Sequence, residues 1–142
     1  VPATTINSVS RSSVENIALK RYVETVLQRS FRFAEPEVKS RFHRDSRMVL
    51  RILARKLGLS IGSYSIRSHM GELSEPGYIT LQLAAGSIQI LQPGLYKDVQ
   101  IKIRRYGGPG YRLLVASHTA SVAALLDIDH LIERINPILS LP

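Results

Sequence analysis

The hydrophobic period of this chain changes near Leu59, and that change limits the fold more than any other feature. Before it, apolar residues recur every three or four positions. After it, as far as about Ser117, they alternate. The first spacing suits helices with one buried face, and alternation suits half-buried strands. The resulting order of helix, helix, several strands and helix predicts an α+β fold. Its parts are an N-terminal helical hairpin, an antiparallel sheet of four to five strands, and C-terminal helices packed on one sheet face. At 142 residues one domain is expected. It divides into an N-terminal arm (1–11), a basic helical hairpin (12–58), the sheet (59–117) and the C-terminal helices (118–142).

In the hairpin, Ser12 followed by Glu15 matches a capping box and predicts a helix from there to about Arg29. Val14, Ile17, Ala18, Val23 and Leu27 are its expected core contacts. Ser30–Ala34 makes a short link that Phe31 and Phe33 would pin. The stretch Glu35–Gly58 predicts the second helix. Pro36 and Glu37 suit a first turn, where a missing N–H costs nothing and acids meet the positive end of the dipole. Gly58 follows Arg55 and Lys56, as a left-handed C-terminal cap would. At about 100° per residue, Val38, Phe42, Val49, Ile52 and Leu53 fall on one side. Arg41, Arg44, Arg47, Arg51 and Arg55 fall on the other, and Asp45 is the only acid in the body of that helix.

This row matters because the charge is uneven. The net charge is +8, and residues 1–58 hold 12 Lys+Arg against 5 Asp+Glu, while residues 59–142 hold 7 against 6. A basic half of this kind points to nucleic acid or another anionic surface. Arginines spaced by three and four repel one another, so the row costs helix stability unless anions relieve it. Phosphates would do so, with Arg44, Arg47, Arg51 and Arg55 as contacts, helped by Arg41, Lys20, Arg21 and Arg29. The plainer reading is a solvated basic face. A third is arginine forks on the carboxylates of another subunit.

Beyond Leu59, SYSIRSH (63–69), YITLQLA (78–84), SIQIL (87–91), DVQIKIRRY (98–106) and YRLLVAS (111–117) read as strands. In the fourth, Val99, Ile101 and Ile103 point inward, and Gln100, Lys102 and Arg104 outward. MGELSEPG is a loop, and Ala85–Gly86 and GGPG (107–110) are turns. Thr119 is expected to cap a short helix through Leu126, and Asp127 to cap another over 128–135 that Pro137 stops.

The run Tyr64-Ser65-Ile66-Arg67-Ser68, then Pro76-Gly77-Tyr78-Ile79-Thr80-Leu81, Arg105-Tyr106-Gly107-Gly108, Ala116-Ser117 and Ala124-Leu125-Leu126-Asp127 resembles a widespread group of small uncharacterised proteins of bacteria, plasmids and phages. The resemblance covers about residues 63–135, and Gln82 stands where that pattern has His. It implies a mobile-element setting and no catalytic residue, and it leaves the arginine row outside.

Other chemistry has little to stand on. The chain has no cysteine, which removes disulfides, thiolate chemistry and cysteine zinc sites and fits a cytoplasmic setting. His43, His69, His118 and His130 lack a short metal-binding spacing, and His43 is expected as part of the basic helix. No GxSxG occurs. A PD-(D/E)xK-type nuclease needs a carboxylate–x–Lys on a strand; Asp98, Gln100 and Lys102, with Glu72 or Glu75, supply only a fragment of that metal site. GGPG lacks the Lys-Ser/Thr of a phosphate-binding loop and reads as a hairpin turn. Tyr64, Tyr78, Tyr96, Tyr106 and Tyr111 would stack on bases if exposed, though strand tyrosines usually pack. No apolar run is long enough to span a bilayer, and no signal peptide is visible. The leading expectation is therefore a non-enzymatic protein binding nucleic acid without sequence specificity, with no cofactor, no metal and no membrane, as a homo-oligomer or larger assembly in the cytoplasm or a virion. The alternative is a phage virion assembly protein using the arm and basic helix for subunit contacts. The third is the metal-dependent nuclease.

Overall fold

The structure, a computed structural model, describes residues 3–29, 35–72, 75–94 and 97–140, with side chains from residue 11 to residue 28 in the first helix. Its elements run α1 (Ala3–Arg29), α2 (Pro36–Lys56), β1 (Ser65–His69), β2 (Tyr78–Gln82), β3 (Gly86–Leu91), β4 (Gln100–Gly107), β5 (Leu113–Ser121), a short 3-10 helix (Val122–Asp127) and α3 (Ile128–Leu139). The α+β reading holds. The five strands form one antiparallel sheet in sequence order, so each strand pairs with its neighbour in the chain.

Register places the buried isoleucines and leucines of β2, β3 and β4 on one face. Ile79 pairs with Ile90, Leu81 with Ile88, Ile88 with Ile103, and Ile90 with Ile101. All six side chains are fully buried. At about 1.5–3 kcal/mol for each large aliphatic removed from water, this layer is the main stabilising element. α2 covers it over β1 and β2, α3 covers it over β4 and β5, and α1 packs on α2 and on the 3-10 helix. Phe42, Val49, Ile52 and Leu53 are buried as their spacing predicts, and Val38 packs at the edge of the core. α2 ends in a Schellman cap: Gly58 at φ +74 donates to the Arg55 carbonyl at 3.0 Å, and Leu59 to that of Ala54 at 3.0 Å.

Four expectations are corrected. The arm expected over residues 1–11 is helical from Ala3, because no glycine or proline interrupts Ala3–Arg29; Ser12 and Glu15 lie inside that helix and do not cap it. The buried stripe of α1 is Leu19, Tyr22, Val23 and Val26, while Val14, Ile17 and Leu27 are exposed. The rotation is set by α2, where the hydroxyls of Tyr22 and Ser46 share a buried hydrogen bond of 2.7 Å. Burial, chiefly, raises the Tyr22 pKa well above its ordinary value. β5 runs to Ser121, so Thr119 is a strand residue paired with Lys102 and caps no helix. α3 continues through Pro137, and Asp127 makes no side-chain cap bond. Leu139, buried in the last turn, reaches the Cα side of Gly86, and that packing outweighs the break that proline favours. Phe31, Phe33 and the expected link at 30–34 lie outside the described residues.

Gly77 and Gly58 provide a paired test of the backbone. Both have positive φ, where a side chain costs about 1 kcal/mol. A Cβ on Gly58 meets open space, whereas one on Gly77 would stand 2.1 Å from the His69 carbonyl oxygen. Gly77→Ala is therefore expected to lower the Tm by at least about 5 °C more than Gly58→Ala, read by thermal unfolding. Equal losses would contradict this loop packing.

Candidate nucleic-acid interface

The arginine row exists, and α2 holds it opposite the core, but its members are not equivalent. Arg41, Arg44, Arg51 and Arg55 are exposed and Arg47 is half-buried. Arg55 forms an ion pair with Glu15 of α1: its Nε lies 3.1 Å from Oε2, and a second contact joins Nη2 to Oε1. The hydrogen bond to Glu15 raises the Arg55 pKa further above its ordinary value. Arg55 is thus committed to an intramolecular carboxylate and leaves the set of unengaged cations. Arg47 donates to Ser68 Oγ of β1 at 3.3 Å, and Arg44 lies 3.4 Å from the neighbouring Asp45 carboxylate. Lys20 lines a cleft against Leu125–Asp129, on the flank of α1 away from α2, so it does not join the row. Arg21 is exposed on α1, and the Arg29 side chain lies outside those described.

The second concentration of cations is on the open face of the sheet. Alternation that buries Ile79, Leu81, Ile88, Ile90, Ile101 and Ile103 turns Arg67, His69, Tyr78, Thr80, Gln82, Gln89, Lys102 and Arg104 to the other side. Among the described residues, no helix covers them. None of the five strands contains an aspartate or glutamate. Among the described residues, no carboxylate stands within ion-pair distance of Arg67, Lys102 or Arg104. The face forms an open trough of about 550 Å³ that Tyr78 and Tyr106 also line.

Polar bonds set the floor of this trough. Arg104 donates to Gln89 Oε1 at 3.2 Å, and Gln89 donates to Thr80 Oγ1 at 3.4 Å. This chain crosses β4, β3 and β2 and orients the Arg104 guanidinium over the sheet. Arg67 is the strand partner of Thr80 on β1. At the near end, the rings of His69 and Tyr78 are stacked across β1 and β2, with centroids 4.7 Å apart and planes 2° from parallel. Both residues are exposed.

The loop beside that ring pair is held from beneath by α2. Lys39 Nζ donates to the carbonyls of Glu72 and Glu75 at 3.0 and 2.9 Å. His43 Nε2 lies 2.7 Å from the Pro76 carbonyl; a carbonyl only accepts, so Nε2 carries the proton. Nδ1 is buried without a partner. His43 lies in the basic helix α2, as expected, and is buried on its core side, where Lys39, His43 and Ser46 share the inward stripe with Phe42 and Leu50. Burial, above all, lowers the His43 pKa below its ordinary 6.5; the Pro76 bond opposes this, and Lys39 and His69 add to it.

Among the described residues, no three His, Asp or Glu side chains gather as metal ligands, and no helix is long and apolar enough to cross a membrane. Asp98 is exposed just ahead of β4, and Gln100 and Lys102 stand on the open face, as alternation alone requires. No family model, curated protein or solved structure matches the chain.

Arg67 and the His69–Tyr78 pair were not singled out together by sequence. Their alternation was legible, but not that the outward face of the sheet is left without a cover.

The His43 contact has a pH consequence. Its folded pKa is lowered while its unfolded value is the ordinary 6.5, so the stability it contributes is complete above that value and is lost as pH falls below it. Denaturant midpoints should fall between about pH 7.5 and pH 5.5. His43→Gln, whose amide can reach the Pro76 carbonyl, should show a smaller fall. An identical pH dependence would remove His43 as the cause.

Proposed function

We propose that this chain is a non-enzymatic nucleic-acid-binding protein that holds phosphates on the open sheet face and on the adjoining arginines of α2. One observation supports it above the others: Arg67, Lys102 and Arg104 stand on an uncovered face whose strands hold no carboxylate. An ordinary solvated surface mixes both signs of charge; a face of one sign concentrates polyanions. The helix row adjoins it. Arg47 meets Ser68 on β1 at 3.3 Å, and the preceding residue, Arg67, turns to the opposite face. The β1 edge thus joins the two sets of cations, with Arg41, Arg44 and Arg51 on the helix side.

Binding of this kind is electrostatic and weakens as salt releases the counterion advantage. If the sheet face alone is engaged, three phosphate contacts give a slope of about −2 for log K against log salt on a single strand. If Arg41, Arg44 and Arg51 also engage, the slope is about −4. The double variant Arg67→Glu/Arg104→Glu should weaken binding by at least about tenfold at physiological salt, whereas Arg55→Ala should change it little. Fluorescence anisotropy across a salt series reads all of these. Undiminished binding in the double variant would remove the sheet face from the interface.

Self-association is the second reading, and β5 favours it. Its outer edge has no backbone partner among the described residues. Leu113, Leu114 and Val115 are exposed, and Leu113–Ser121 contains no Lys, Arg, Asp or Glu. Two copies at +8 each repel least along this uncharged strand, so a second copy pairing edge to edge is the fitting occupant. Light scattering should show a dimer that Val115→Lys converts to monomer; a monomeric unaltered protein would refute it.

A further inference from the structure

We infer that the open sheet face selects single-stranded nucleic acid, an unpaired base stacking on the exposed His69–Tyr78 ring pair while Arg67 and Arg104 hold the phosphates beside it. This rests on the nucleic-acid reading above and goes further, because it names the form of nucleic acid and the group that recognises it.

Three features of the trough point the same way. The first is the ring pair itself. Two aromatic rings on adjacent strands, 4.7 Å apart and parallel within 2°, form a rigid flat-sided stack. Both are exposed, and Tyr78 is 37% accessible, where a packing tyrosine would be covered. Another planar ring extends such a stack without needing a particular hydrogen-bond pattern. The second is the position of the cations. Arg67 lies two residues before His69 on β1, and Arg104 is oriented over the neighbouring strands by Gln89. The backbone of a strand whose base sits on the rings would therefore pass over guanidiniums. The third is length. Tyr106 lines the trough at the far end of β4. In register it lies about six residues along the strands from Tyr78, roughly 20 Å at strand rise. That span accommodates several nucleotides, with an aromatic side chain at each end.

A duplex cannot use these groups together. Its bases are stacked on one another and offer only their edges, so it would meet the face through phosphates alone. The ring pair would then contribute nothing. Single strands expose ring faces, and each base stacked on an aromatic side chain changes affinity by roughly five- to a hundredfold.

The test compares a short oligothymidine with a duplex of the same length, both fluorescently labelled, against the full chain at one fixed salt concentration. The oligothymidine should bind more tightly by at least about fivefold. Tyr78→Ala should remove most of that preference and leave duplex binding unchanged, and Tyr78→Phe should retain it, since the ring and not the hydroxyl stacks. Arg67→Ala should weaken both ligands alike. Circular dichroism of each variant controls for folding, and Tyr78→Phe keeps the test valid if the alanine variant is poorly folded. Equal affinity for both forms, unaffected by Tyr78→Ala, would overturn the stacking proposal while leaving the electrostatic reading standing. Failure of both ligands to bind would overturn the two together.

Discussion

Everything in this fold follows from burial on one side of the sheet only. The isoleucines and leucines of β2, β3 and β4 are removed from water by α2 and α3, and α1 closes the layer. Among the described residues the opposite side has no helix, so its side chains must be at ease in water. Gln82, Gln89, Lys102 and Arg104 are such residues. Among the described residues no element lies on that face, and its cations stay unneutralised by any strand carboxylate. The hydrophobic layer and the candidate binding surface are two sides of the same strands, produced by the same alternation.

α2 divides its duties by face. Its outer side carries the arginines, and its inner side carries Lys39, His43 and Ser46 among the core residues. A buried lysine and histidine would be costly alone. Here Lys39 and His43 satisfy backbone carbonyls of the loop before β2, and Ser46 meets the Tyr22 hydroxyl. The loop is thus anchored beside Gly77, whose Cα side has no room for a side chain, and the ring pair His69–Tyr78 stands on the strand ends that this anchoring defines. The polar groups inside α2 therefore support the geometry of the open face, from the far side of the sheet.

The arginine row looks uniform in sequence and is divided in structure. Arg55 is paired with Glu15, Arg47 reaches β1, and Arg41 and Arg51 remain free among the described residues. A pattern of spacing shows which residues share a face, but Glu15 lies forty positions away. Only the antiparallel packing of α1 on α2 brings that carboxylate in. The same packing rotated α1 away from the stripe Val14–Ile17–Leu27 and toward Leu19, Tyr22 and Val26.

Local pattern determined the fold class, the strands, the cap at Gly58, and the alternation that sets Lys102 and Arg104 outward, because period, turn residues and capping are properties of neighbours along the chain. Tertiary structure decided the rotation of α1, the length of β5, the passage of α3 through Pro137, the burial of His43, and the pairing of Arg55. It also decided that the outward sheet face would have no cover. Each of these depends on which surfaces are left over once the core layer is filled. That is settled by packing between residues distant in sequence, where local spacing carries no information.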